Sequence, residues 1–218
     1  DVLELDTVVT KDNVVIVSHD PIVNTEICKI PADSKIKPGT PFYSLSLAEV
    51  KTLDCGTLIN PKFPAQVPSP GEKIPTLEEV FELVKGNERI RFNIETKIMA
   101  AAPELTPSPR EFSSLIIELL KQYKLEKRTV IQSFDYRTLV ESKKLFPSIK
   151  TAFLAYGSYF DYTILLESFP FDIYSPNYQW ITKEMVDKLQ MKGVEVIAWT
   201  ANDKAAWDYL LQIGADGI

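Results

Sequence analysis

Histidine and glycine are scarce in this chain of 218 residues, which has one histidine and eight glycines. The glycine-rich loops that cradle phosphates in P-loop and dinucleotide-binding proteins are missing from the sequence. There is also no G-x-S-x-G nucleophile elbow, so a Ser-His-Asp triad would have to use His19. One histidine and two cysteines leave no zinc-like cluster.

The two cysteines, Cys28 and Cys55, do not form a CxxC motif. A disulfide in an exported protein and two free thiols in a cytosolic protein are both compatible with this pair. The sequence alone does not fix the distance between the two sulfur atoms, so both alternatives stay open.

Long apolar runs and excess positive charge are also lacking. No stretch reaches the ~18 uncharged apolar residues of a transmembrane helix, so no transmembrane segment is predicted. The net charge of -6 argues against nucleic acid as a partner. It does not argue against a small phosphate ester, because a bound metal ion can outweigh a diffuse negative surface.

What the chain does contain is a regular alternation of β-rich and helical runs, which is typical of an α/β fold with a parallel sheet. The first two runs, Val2–Val9 and 14–19, are joined by a turn at Asp12-Asn13 and predict a β-hairpin. From residue 76 onward, helices are predicted to begin after N-caps. These N-caps are Thr76, Asp135, Thr182 and Asn202, with Thr76 and Glu79 forming a capping box.

Residues 20–75 interrupt this alternation. They are rich in proline and show little periodicity, apart from one short predicted helix over residues 46–53. We interpret them as a loop-rich insertion within a single domain that spans residues 1–218. The remaining strands number six plus the start of another, whereas a closed barrel needs about eight. The pattern alone therefore fits a barrel or an open doubly wound sheet.

Two short polar patterns are candidates for chemistry. Glu4 and Asp6 lie two residues apart in a predicted strand and so point to the same face, as do Asn93, Glu95 and Lys97 in another. Each pattern can be a charged solvent face. Glu4 and Asp6 can also be inward-facing carboxylates that hold a cation, because two converging carboxylates repel each other without one. Asn93, Glu95 and Lys97 can also face inward, where a carboxylate is costly to bury unless the group binds something charged.

The only histidine, His19, ends a strand and precedes Asp20-Pro21. A lone histidine is more often structural than catalytic. Its position at a strand end, beside the loop-rich insertion, favours a functional role.

The order of these segments resembles the glycerophosphodiester phosphodiesterase family. The resemblance begins with Leu3-Glu-Leu-Asp6 and covers essentially the whole chain. Further segments that carry it are Thr10-Lys-Asp12, His19-Asp-Pro21, Leu47-Ala-Glu-Val50, Leu53-Asp54, Ile74-Pro-Thr-Leu-Glu-Glu79, Asn93-Ile-Glu-Thr-Lys97, Gln132-Ser-Phe134, Ala198-Trp-Thr200 and Gly214-Ala-Asp-Gly-Ile218. Each motif is short, and their joint order makes the match specific.

The resemblance implies a TIM (β/α)8 barrel with an insertion after its second strand. It implies hydrolysis of glycerophosphodiesters to an alcohol and glycerol 3-phosphate with one divalent cation. Glu4, Asp6 and Glu95 resemble the metal ligands, and such hard oxygen donors suit Mg²⁺ or Ca²⁺. In the same way, His19 resembles an acid/base histidine, Lys97 resembles the cation that faces the substrate phosphate, and Trp199 resembles a residue of the pocket wall.

One family feature is missing. The first strand of the family's barrel ends in a His-Arg-Gly motif, which supplies a second histidine and a phosphate-binding arginine, and this chain has no such motif. We therefore expect the first barrel strand to be absent and the sequence to be part of a longer, active protein. By family habit, a periplasmic or secreted location is expected.

Two alternative functions keep the barrel. One is a catalytically inactive barrel that binds phosphodiesters or acts as a scaffold. The other is a phospholipase-like enzyme for lipid phosphodiesters, which an exposed apolar rim on the insertion would favour. Phe42, Tyr43 and Phe63 are the candidates for that rim, with core packing as their other role.

Overall fold

The architecture is α/β, with strands and helices alternating along most of the chain. The computed structural model describes residues 1–157 and 162–218. Its strands are β1 (Val2–Val9), β2 (Val15–Val17), β3 (Arg91–Thr96), β4 (Thr129–Ser133), β5 (Lys150–Ala155), β6 (Ile173–Pro176) and β7 (Glu195–Val196). Its α-helices are α1 (Leu47–Val50), α2 (Leu77–Leu83), α3 (Pro109–Tyr123), α4 (Tyr136–Leu145), α5 (Lys183–Met191) and α6 (Lys204–Ile213).

The strands form one sheet in the order β2-β1-β3-β4-β5-β6-β7. Among the described strands, β1 and β2 pair antiparallel, and the other neighbouring pairs are parallel. Gly217 bridges Ile197 in the parallel sense, which continues the sheet beyond β7. Among the described residues, no ladder joins this edge to β2. The predicted α/β class and hairpin are confirmed, and Asn13 adopts the left-handed conformation in the turn, with φ 61°.

Strand alternation divides the side chains of the sheet between two layers. On one face, Leu3 and Leu5 of β1 pack with Phe92 and Ile94 of β3 against apolar residues of α2 and α3 such as Phe81. Farther along the sheet, strands β6 and β7 pack in the same way against α5 and α6. Because successive side chains of a strand alternate, Glu4 and Asp6 lie on the opposite face, away from these helices.

The predicted helix starts are confirmed with one exception. Thr76 and Glu79 form a capping box, and Asp135 and Thr182 accept N-terminal N–H bonds of α4 and α5. The prediction for Asn202 was wrong: α6 is capped by Asp203, whose carboxylate accepts from the N–H of Ala206 at 2.9 Å. Either residue type can cap, and the backbone places the extended conformation that a cap needs one residue later.

The segment between β2 and α2 carries α1 and a disulfide between Cys28 and Cys55. Its apolar residues share a core with the hairpin: Phe42 and Leu53 are buried together with Val8 of β1. The description of residues 1–218 as one domain with an insertion stays a prediction. Of the three candidates for an exposed apolar rim, Phe42 is buried, Tyr43 packs against the core and only Phe63 is exposed. No described helix combines the length and the apolar character that crossing a membrane requires.

Candidate active site

The site is built by the parallel pairing of β1 with β3. Their register places Asp6 opposite Glu95 and Glu4 opposite Asn93. Since paired residues on neighbouring strands point to the same face, all four side chains lie on the face away from the helices. Lys97 follows directly after β3 and extends the same row.

Three carboxyl groups converge there. One oxygen each from Glu4, Asp6 and Glu95 lies within 4.8 Å of the others. The Lys97 ammonium bridges two of them, with its Nζ 3.0 Å from Asp6 Oδ1 and 2.8 Å from Glu95 Oε1. The structure therefore brings together all three predicted metal ligands and the predicted phosphate-facing lysine, while their roles stay predictions.

The third carboxylate, that of Glu4, is positioned by the amide side chains of Gln132 and Asn93. Gln132 of β4 donates through Nε2 to Glu4 Oε1 at 2.7 Å, and it accepts from Asn93 Nδ2 at 2.8 Å. Gln132 was not predicted as a site residue, although its position in a strand that follows β3 would have allowed it. The sequence gives no strand register, and the register is what places Gln132 opposite Glu95.

Burial sets the electrostatics of the cluster. Loss of water raises the pKa of Glu95 to about 7, with repulsion from Asp6 adding to it and Lys97 opposing it. Burial likewise raises the pKa of Glu4, again with Asp6 adding to it. Burial alone would lower the pKa of Lys97, but its hydrogen bond and charge attraction to Glu95, and then to Asp6, raise it. Three carboxyl groups therefore share the positive charge of one ammonium group, and the environment disfavours the ionised forms of Glu95 and Glu4.

This donor set fits a hard divalent cation. Carboxylate oxygens are the ligands that Mg²⁺ and Ca²⁺ prefer, and a positive charge between them relieves their repulsion. In addition, Asn93 Oδ1 is a buried oxygen with no hydrogen-bond partner among the described residues. Glu4, Asp6 and Glu95 could therefore hold a cation, and the unpaired Oδ1 of Asn93 lies on the same face, because Asn93 is opposite Glu4 in the register.

His19 lies beside this cluster but is far more exposed, with 70% of its side chain accessible. Its Nδ1 donates to Asp20 Oδ1 at 2.9 Å, and Asn24 Nδ2 donates to Asp20 Oδ2 at 2.8 Å. Burial raises the pKa of Asp20, but these two hydrogen bonds, with the charges of His19 and Lys62, outweigh it and hold that pKa below its ordinary value. His19 is also near enough to Glu4 for its charge to act on that carboxyl. Asp20 was not predicted as a site residue, although it adjoins His19 in the sequence.

Trp199 stands at the carboxyl end of the sheet, beyond β7. Its ring meets Phe134 edge to face, with centroids 5.6 Å apart, and stacks with Tyr156 at 6.0 Å. Its indole N–H donates to the carbonyl of Ser175 at 2.9 Å. Trp199 thus belongs to an aromatic wall that also contains Phe134 and Tyr156, two residues that sequence reasoning did not select. Their contacts depend on three separate strand ends, which no local motif reveals.

Comparison with known proteins gives these side chains a context. Residues 1–218 match the glycerophosphoryl diester phosphodiesterase family. A glycerophosphodiester phosphodiesterase of Caldanaerobacter subterraneus subsp. tengcongensis is 32% identical over an alignment of 220 residues, gaps included, that covers 100% of this chain and 81% of the relative. One from Bacillus subtilis is 29% identical over an alignment of 229 residues, gaps included, that covers 100% of this chain and 72% of that relative.

Solved structures agree on the fold. A structure from Silicibacter pomeroyi has a TM-score of 0.87 at 23% identity, and the match covers 100% of this chain and 78% of the Silicibacter chain. A phosphodiesterase from Oleispira antarctica was solved with the product sn-glycerol-3-phosphate. It has a TM-score of 0.77 at 23% identity, and the match covers 99% of this chain and 78% of the Oleispira chain. The predicted TIM-barrel fold class is confirmed, and so is the enzyme class of phosphoric diester hydrolases. The chain belongs to the glycerophosphoryl diester phosphodiesterase family.

Proposed function

We propose that the protein hydrolyses glycerophosphodiesters to an alcohol and glycerol 3-phosphate, with one divalent cation held by Glu4, Asp6 and Glu95. The convergence of three carboxyl oxygens within 4.8 Å, with Lys97 between two of them, supports this most directly. The family of the chain and its 32% identical relative support the reaction. The product bound to the Oleispira protein supports a small-molecule glycerophosphodiester as substrate.

The cation is proposed to be Mg²⁺ or Ca²⁺, because all three donors are carboxylates. When bound, it would neutralise charge on the phosphate oxygens of the diester. The amide of Gln132 keeps Glu4 oriented toward the other carboxylates, since its Nε2 donates to Glu4 Oε1.

Lys97 supplies a second positive charge for the substrate. Its ammonium lies 2.8 Å from Glu95 and 3.0 Å from Asp6, so it is held at the edge of the carboxylate cluster. From there it can donate hydrogen bonds to a phosphate oxygen while negative charge develops in the transition state. A lysine fits this role because its charge is retained in the site.

His19 is proposed to carry one of the proton transfers that diester hydrolysis requires, either to the leaving alkoxide or from the nucleophile. The bond from Nδ1 to Asp20 fixes the orientation of the ring and leaves Nε2 as the atom that exchanges the proton. The exposure of the ring suits this, because the transferred proton must reach solvent. Trp199, in the aromatic wall, is proposed to contact the substrate.

We also propose that the protein works in the periplasm or outside the cell. The Cys28–Cys55 disulfide supports an oxidising compartment, since disulfides are rare in reducing ones. Alkylation of free thiols in freshly lysed source cells, followed by mass analysis, tests this. Two alkylated cysteines in the native protein would contradict it.

The deciding experiment measures hydrolysis of glycerophosphocholine by the purified full-length protein with and without a chelator, beside the variants Glu95→Gln and Glu88→Gln. Glu88 is exposed, so its variant makes the same chemical change away from the site. We expect activity to fall by at least ~10²-fold with chelator and in Glu95→Gln, and to stay unchanged in Glu88→Gln. A folded protein without activity under any divalent cation would point instead to an inactive, phosphodiester-binding barrel.

A further inference from the structure

Residues 56–71, here called the 56–71 loop, form a closed loop on the segment between β2 and α2. Its two ends are held together by backbone bonds from Cys55 N to Glu72 O at 2.9 Å and from Ser69 N to Gly56 O at 2.8 Å. Asp54 adds a clamp, because its carboxylate accepts from Gly56 N at 3.1 Å and from Gly71 N at 3.2 Å. A loop of about 16 residues with adjoining ends is an Ω-loop, a type that is frequently functional.

The interior of the 56–71 loop is ordered by its own polar groups. Gln66 accepts from Asn60 N at 3.1 Å and donates its backbone N–H to Phe63 O at 2.9 Å. Phe63 N in turn donates to Asn60 O at 2.8 Å. With these polar groups turned inward, the apolar side chains face solvent: Phe63 is 64% and Val67 85% exposed, and Ile59 is also exposed. Single exposed apolar residues are common on protein surfaces, but three on one short loop can bury apolar surface together if the loop meets a partner.

The 56–71 loop carries little charge, and that charge is positive. The chain has 30 acidic residues, yet residues 56–71 contain none, and their single charged residue is Lys62. A carboxylate would be repelled by the phosphates of a membrane surface, whereas a lysine is attracted to them. The loop therefore combines apolar tips, one positive charge and no negative charge.

The loop also adjoins the His19 side of the site. Cys55 and Lys73, which flank it, line a cavity of about 240 Å³ together with His19 and Asp20. Lys62 is close enough to Asp20 for its charge to act on that carboxyl. The 56–71 loop therefore lies on the side of the molecule that carries His19.

We propose that the 56–71 loop docks the protein on a lipid surface, with Phe63 and Val67 entering the boundary between head groups and acyl chains and Lys62 near the phosphates. Three exposed apolar side chains are too few for a stable protein interface, which buries roughly 800 Å² on each partner. Binding to a membrane surface grows with the buried apolar area and with the attraction of basic residues to anionic lipids, so a small apolar patch with one lysine gives weak, reversible docking. Docking itself is independent of catalysis. Its consequence, that lipid phosphodiesters reach the His19 side, rests on the proposed function.

The test is sedimentation of the protein with vesicles of phosphatidylcholine and phosphatidylglycerol in equal parts. We compare the native protein with the double variant Phe63→Ser/Val67→Ser and with Leu83→Ser. Leu83 is 84% exposed at the end of α2 that leads into the amino end of β3, so it is a matched apolar residue at the opposite end of the sheet. We expect vesicle binding by the native protein, at least about tenfold weaker partitioning of the double variant, and no change in Leu83→Ser.

Hydrolysis of water-soluble glycerophosphocholine is measured in parallel and should be equal in all three proteins, which shows that the double variant is folded. No binding of the native protein to these vesicles would overturn the proposal, and so would equal binding by the native protein and the double variant. If the soluble diester is not hydrolysed by any of them, the proposed function fails, while vesicle binding with circular dichroism as the check of folding still decides on docking.

Discussion

At the scale of single residues, the central feature is that Lys97 bridges Asp6 and Glu95 while Glu4 is held by an amide. One ammonium cannot balance three converging carboxyl groups, of which Glu95 is buried, Asp6 is partly buried and Glu4 is exposed. Loss of water first, with repulsion from Asp6 adding to it, raises the pKa values of Glu95 and Glu4. A site that is strained by its own negative charge gains stability from any cation that it binds.

This leads to a prediction for Glu4→Gln. Adding Mg²⁺ or Ca²⁺ to the native protein at about 100 times its Kd should stabilise the fold by about 2.7 kcal/mol, because the cation binds the folded state alone. In Glu4→Gln most of this stabilisation should be lost, since one of the three carboxylates is gone. Thermal unfolding with and without the cation measures it. Glu88→Gln is the control, and an equal cation effect in Glu4→Gln would contradict the assignment of Glu4 as a ligand.

A second prediction concerns Asp20, which we regard as a positioning residue because it acts through His19. Asp20→Asn should lower kcat about 10–100-fold and alter the pH profile of kcat, since Nδ1 of His19 loses its charged acceptor. Cation affinity should stay unchanged. Asp33→Asn, an exposed aspartate elsewhere on the same segment, is the matched control. A fall in kcat with an unaltered pH profile would indicate a structural role instead.

At the scale of elements, side-chain caps decide where the helices begin, and such caps are local enough to be recognised in the sequence. The box of Thr76 and Glu79 is an example, and Ser108 with Glu111 forms another at the start of α3. Where two adjacent residues can both cap, as Asn202 and Asp203 can, composition does not distinguish them. Strand register is not local in this sense, and Gln132 was missed for that reason.

The cap of α3 can be tested with Ser108→Ala. Ser108 is exposed, so the change removes the cap without disturbing the core. The variant should lose about 1 kcal/mol of unfolding free energy, which corresponds to a Tm lower by about 2–4 °C for a chain of this size. Ser114→Ala, within the same helix, is the control and should not lower Tm. Equal melting of native protein and Ser108→Ala would show that the cap contributes nothing.

Asp54, whose carboxylate holds the two ends of the 56–71 loop together, gives a prediction of how stability depends on pH. A hydrogen bond from Thr57 and backbone N–H groups lower the pKa of Asp54 to about 2 from its ordinary 3.8. A carboxyl with a lowered pKa stabilises the fold above its ordinary pKa, and this contribution is lost as the pH falls toward the lowered value. The Tm difference between native protein and Asp54→Asn should therefore be constant near neutral pH and shrink between about pH 4 and about pH 2. A difference that does not change over this range would contradict the assignment.

At the scale of the whole molecule, the disulfide joins residues that are 27 apart in sequence and ties the segment between β2 and α2 to itself. Closing a loop of this length should stabilise the fold by about 3.5 kcal/mol. Reductant should therefore lower the Tm of the native protein by roughly 10 °C. The double variant Cys28→Ser/Cys55→Ser should melt at the lower temperature with or without reductant. The prediction would be contradicted if the Tm of the native protein were the same with and without reductant.

The amino-acid sequence by itself determined the alternation of strands and helices, the hairpin, most helix starts and the pairing of Glu4 with Asp6 on one face. These depend on interactions within a few residues, such as caps and the two-residue period of a strand. The motifs that resemble the family also marked Glu95, Lys97, His19 and Trp199 in advance.

Only the tertiary structure decided which of these side chains meet. The parallel register of β1 and β3 brings Asp6 opposite Glu95 across 89 positions of sequence, and that of β3 and β4 adds Gln132. The aromatic wall around Trp199, the Cys28–Cys55 disulfide and the exposed tip of the 56–71 loop likewise depend on packing between distant segments. Hydrogen-bond ladders and burial are properties of the assembled sheet and core, and a linear pattern carries neither distances nor exposure.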